Sequence, residues 1–236
     1  MQYIVYPLLL ILLVSGFASV DTAMPPQDKA KIVFEDDFGR KIIGDQYQHK
    51  YNNPNEVFPI IDGVLVCHQL NPEHGSVLRR NMDFKDIDVV FDFRFSGGTS
   101  FNFVMDDQNE KSVWASHISR VSVFRNSVIL QDDKTGFFNL DIRAQRQNKN
   151  LPPEDKKALD ELLASKRKTA KMNFVEGQWY QLRVLLKGDT LEVWIDGMSI
   201  AKLQSPGLAH PTKTKFGWTV NGSHIDFDNL KVFQMP

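Results

Sequence analysis

The run Ile87 to Phe95, IDVVFDFRF, limits the folds open to this chain more than any other stretch. In an extended backbone Ile87, Val89, Phe91, Phe93 and Phe95 share one face, while Asp88, Val90, Asp92 and Arg94 share the other. A period of two with three phenylalanines on one side excludes a helix and commits that side to a core. Similar runs recur from Ile32 onward between turn pairs: Asp62-Gly63, Gly97-Gly98, Gly188-Asp189 and Asp196-Gly197. Such pairs supply the positive φ angles of tight two-residue hairpins. The pattern continues through Lys215 to Val220 and Ile225 to Phe233, about ten to thirteen strands in all, which is enough for two packed antiparallel sheets. The expectation is an all-β sandwich. Trp179, Trp194 and Trp218 alternate with large apolar residues and read as core.

The 236 residues carry a net charge of -1, which excludes nucleic-acid binding through bulk positive charge. The uncharged run Ile4 to Val14 is shorter than the roughly 20 apolar residues of a membrane span and reads as the core of an export signal. Cleavage is expected after Ala18, leaving a polar tether over residues 19–31, one domain over 32–236, and no membrane span in the mature chain. The protein is thus expected to be secreted or periplasmic, and monomeric. The lone Cys67 closes no intramolecular disulfide, so packing alone holds the domain. One segment departs from the strand pattern. Leu151 to Lys171 has Pro153 at a first helical turn, acids at its start and Lys166, Arg167 and Lys168 at its end, which predicts a surface helix over about 152–169.

The C-terminal third carries Trp179 leading a strand, then Gly188-Asp189, a strand ending in Asp196-Gly197, and Phe227-Asp228-Asn229-Leu230 in the last strand. With FEDDFGR and IIDGVLVC upstream, this order resembles concanavalin A-like jelly-roll domains, and within them the 3-keto-disaccharide hydrolase domains of exported bacterial proteins. The resemblance implies a jelly roll of two antiparallel sheets with one helical insertion, acting on or binding saccharides. A non-catalytic lectin-like or adhesion module is the alternative.

Retaining glycosidases need two carboxylates about 5 to 5.5 Å apart. Sandwich glucanases supply them from a strand reading Glu-x-Asp-x-x-Glu, and this chain has none. A Gly-x-Ser-x-Gly elbow and a His-Glu-x-x-His zinc pattern are also missing. Two constellations remain. Glu35 and Asp37 on the opening strand and Asp226 and Asp228 on the closing strand offer hard oxygens for a structural calcium. Asp92, Arg94, Asn102, Trp114, His117 and Arg120 mix aromatic faces with hydrogen-bonding groups, as a saccharide cleft on a sheet face requires. Asp92 or Asp106 would assist proton transfer at the glycosidic oxygen, with Arg94 and His117 holding the sugar and Asn102, Trp114 and Arg120 completing the cleft.

Overall fold

The computed structural model describes residues 31–235, so the export signal and all but the last residue of the tether lie outside the described residues. Among the described residues fourteen strands form two antiparallel sheets. The first joins β2 (Ile60–Ile61), β3 (Val64–Cys67), β14 (Ile225–Phe233), β5 (Ile87–Phe95), β10 (Trp179–Lys187), β11 (Thr190–Ile195) and β12 (Met198–Gln204) in that order, with β1 (Ile32–Asp36) on the far end of β14. The second runs β4 (Ser76–Phe84), β13 (Lys213–Gly222), β6 (Gly98–Asp106), β7 (His117–Phe124), β8 (Ser127–Asp132) and β9 (Arg167–Lys171). This is the jelly-roll sandwich that the sequence suggests.

The alternation in β5 turns its three phenylalanines inward. Phe91 meets Phe103 at 5.4 Å, Trp218 at 5.4 Å and Phe227 at 5.9 Å between ring centroids, tying both sheets together. Each such fully buried side chain contributes roughly 1.5–3 kcal/mol relative to exposure. At the hairpins Asp62-Gly63 and Asp196-Gly197 both central residues have positive φ, between 49° and 81°, as two-residue turns of the right twist demand.

Three sequence expectations need correction. Gly97-Gly98 is not a hairpin: β5 pairs with β10 and β14 while β6 pairs with β13 and β7, so the chain switches sheets at this corner. The corner is tight, because a Cβ on Gly98 would lie 2.3 Å from the Ile225 side chain. The helix expected over about 152–169 is α3 (Pro153–Ser165), which ends before strand β9, and α1 (Pro54–Val57) and α2 (Leu140–Gln147) are further helices that the sequence pattern does not mark. The basic run alternates Arg167, Thr169 and Lys171 against Lys168 and Ala170, a strand period hidden by charge. Trp218 is core, but Trp194 is buried on the outer face of the first sheet beneath Arg183, and Trp179 is 36% exposed there beside Arg94.

Candidate functional site

A groove of about 860 Å³ runs over the outer face of the six-stranded sheet. Its floor is built from outward positions of neighbouring strands: Asn221 of β13, Ser100 and Asn102 of β6, Arg120 and Ser122 of β7, and Gln131 of β8. These groups are tied to one another. Ser122 donates to Asn102 Oδ1 at 2.6 Å, and Asn221 donates to Ser100 Oγ at 3.1 Å. α3 and β9 form one wall, with Leu163 and Arg167 facing the space, and the half-exposed Phe124 and Phe137 supply aromatic surface. Hydroxyls, amides and aromatic edges in a shallow trough suit a saccharide.

On the same sheet, Asp106 sits opposite His117 in register, and its Oδ1 lies 2.5 Å from His117 Nδ1. Arg79 Nε donates to the other oxygen at 3.1 Å. Burial by itself pushes the Asp106 carboxyl up, but the hydrogen bond and charge of His117, with the charge of Arg79, hold it below the usual carboxylate range. His117 Nε2 has no hydrogen-bond partner among the described residues. Phe138 links this pair to the groove, with its ring 5.2 Å from the His117 ring and 4.4 Å from the Arg120 guanidinium carbon.

Behind Arg120 lies Asp133, which the sequence reading missed. It is fully buried, and its Oδ2 is 3.0 Å from Arg120 Nε without an aligned hydrogen bond to either carboxylate oxygen. Burial drives its carboxyl up to about 7, against the charges of Arg120 and His117, while Asp132 and Asp106 add to the rise. In sequence Asp133 is the second acid of a Gln-Asp-Asp-Lys-Thr-Gly turn; both acids are buried, and nothing local marks Asp133 as the one left without a hydrogen bond. The folded state keeps this proton to about pH 7, whereas the unfolded chain releases it near pH 4. Between those values the folded state binds more protons, so stability falls as pH rises. Asp133→Asn is expected to remove about 2 to 3 kcal/mol of that fall between pH 5 and pH 8. Parallel denaturation curves at both pH values check this; identical slopes in the two proteins refute it.

The cleft residues read from the sequence divide between opposite sides of the sandwich. Asn102 and Arg120 line the groove, and Asp106 and His117 stand on the same sheet. Asp92 and Arg94 lie on the outer face of the other sheet, because the chain changes sheets between β5 and β6. There Asp92 accepts from Asn229 Nδ2 at 2.8 Å, and Arg94 is paired with Asp226 at 2.6 Å. Trp114 is half exposed under Arg143 and does not line the groove.

The four proposed calcium ligands do not form one site either. Asp226 is taken up by Arg94 and Ser96. Burial raises the Asp228 carboxyl, and the neighbouring Asp92 and Asp37 raise it further. Between Glu35 and Asp37 it is Asp36 that turns inward, held by Arg40, Gln46 and Tyr47. Among the described residues no group of three or more His, Cys, Asp and Glu side chains is arranged to hold a metal ion.

Residues 40–233 match the family described as the 3-keto-alpha-glucoside-1,2-lyase-like domain. The chain belongs to this family. Its domain is thereby a carbohydrate-active one in family terms. No match is found among curated proteins. Among solved structures the chain is similar to SCLam, a non-specific endo-beta-1,3(4)-glucanase from family GH16, at 12% identity over 91% of this chain and 94% of that one, TM-score 0.59. It is also similar to the laminarinase of Flavobacterium sp. UMI-01, at 12% identity, 86% and 100% coverage and TM-score 0.56. LamAcat from Zobellia galactanivorans gives 12% identity, 86% and 97% coverage and TM-score 0.55. At such identities these likenesses establish the concanavalin A-like fold. Among the described residues no helix is long and apolar enough to cross a membrane.

Proposed function

We propose that the groove on the six-stranded sheet binds a 3-keto-disaccharide or related glycoside and that the domain cleaves its glycosidic bond. The supporting observation is the juxtaposition of His117, oriented through Nδ1 by the buried Asp106, with the groove-lining Arg120 across the Phe138 ring. A ketone at C3 of a sugar makes the hydrogen on C2 acidic. In this reading His117 takes that proton through Nε2, Asp106 holds its tautomer through Nδ1, and Arg120 balances the enolate charge. The C1–oxygen bond then breaks, a C1–C2 double bond forms, and the imidazolium returns its proton to the departing alcohol. Addition of water across the double bond completes hydrolysis. His117 thus carries the proton in place of the carboxylates of Asp92 and Asp106, with Asp106 in a positioning role, and the reaction is set outside the cytosol.

The test is incubation with 3-oxo-trehalose and with trehalose, following free sugar and protein-detected binding. Release from the oxidised sugar alone, with deuterium from solvent appearing at C2, is the expected result. Binding of both sugars without release would favour the lectin-like module, and neither binding nor release would overturn the reading.

A further inference from the structure

We propose that the saccharide held in this groove bears a negative charge on the ring nearest the wall formed by α3 and β9; this rests on the reading of the groove as a saccharide site. The groove is lined by Arg120, Lys166, Arg167 and Lys168. Arg120 is paired with Asp133, but among the described residues the side chains of Lys166, Arg167 and Lys168 have no hydrogen bond or ion pair. The carboxylates at the groove do not balance them. Against these four cations the groove lining holds two carboxylates, Asp132, whose oxygens accept from Thr135, Ser205 and the Gly207 backbone, and the exposed Asp160 of α3. The whole chain carries a net charge of -1, so this excess of positive charge is local and does not follow from a basic composition.

The register orders these charges. Arg120 pairs with Gln131 and Gln131 pairs with Arg167, so the three side chains form a row on one face of three adjacent strands. At the usual spacing between strands the two arginine backbones stand about 10 Å apart, with an amide between them. That span fits one sugar ring and a substituent: Gln131 meets a hydroxyl, while the free Arg167 offers its planar fork to a carboxylate or sulfate. Cations on β9 also guard an exposed sheet edge, but that role predicts no discrimination between sugars.

The test is a comparison of cellobiose, cellobiouronic acid, a sulfated cellobiose and inorganic sulfate by calorimetry and by backbone chemical shifts. The acidic disaccharides are expected to bind roughly tenfold tighter than cellobiose at low salt, and the gap should close as ionic strength rises to about 0.5 M. Arg167→Gln combined with Lys168→Gln, at exposed positions and checked for an unchanged melting temperature, should bring the ratio to within about twofold. A preference for one acidic sugar identifies the anion as carboxylate or sulfate. Equal affinity of neutral and acidic disaccharides would overturn the charge proposal and leave the groove reading intact. If neither these saccharides nor 3-oxo-trehalose shifts the Asn102 and Ser122 resonances, the groove reading itself fails. Inorganic sulfate binding as tightly as the acidic sugars would reduce the site to a bare anion patch and overturn the proposal.

Discussion

His117→Ala is expected to lower the rate of cleavage of a 3-oxo-disaccharide by roughly 10²- to 10⁴-fold, the range that a positioned general base supplies. The loss should fall on kcat, with KM changed by no more than a few fold, because the groove floor of Asn102, Ser122 and Gln131 is separate from the imidazole. Asp106→Asn should show the same pattern in weaker form. The amide keeps the volume but cannot bond both Arg79 Nε and His117 Nδ1 as acceptor with both of its end atoms, so the ring loses its fixed tautomer. Circular dichroism of both variants guards against unfolding. An alanine variant that cleaves at the wild-type rate would remove His117 from the chemistry and with it the proposed route of the proton.

Trp218→Ala should cost about 3–5 kcal/mol, the usual penalty for deleting a large buried aromatic. The indole is 1% exposed and stacks on Phe227 at 4.8 Å, with Phe91 and Phe103 against it from β5 and β6. It therefore bridges both sheets, and its removal leaves a cavity whose walls are strands fixed by their own ladders. Since domains of this kind hold only about 5–15 kcal/mol in reserve, the variant should lose a large share of its stability. Trp218→Phe should cost clearly less. It keeps an aromatic face and removes the buried Nε1, which has no hydrogen-bond partner. Urea denaturation followed by circular dichroism measures both, and an alanine penalty below about 1 kcal/mol would contradict this account of the core.

Much of this architecture could be read from single segments. The phenylalanines of β5 face inward as their alternation requires, the Asp-Gly pairs turn where they stand, and Pro153 opens a helix. The candidate site is legible only in pieces: Asn102, Asp106, His117 and Arg120, singled out from the sequence, stand together on one sheet, whereas Asp133 and the β9 wall carry no local signal. Asp133 escapes because its altered proton affinity comes from burial under distant residues, and β9 escapes because a run of Lys and Arg reads first as a helix end.

The chain by itself determined which side of each strand belongs to the core, since a period of two is a local property of the extended backbone. Only the tertiary structure decided which strands are neighbours. That choice depends on contacts far apart in sequence, and the sheet switch at Gly97-Gly98 shows its effect. It sends Asp92 and Arg94 to one outer surface and Asn102 and Arg120 to the other, although Arg94 and Asn102 are only eight positions apart in the chain.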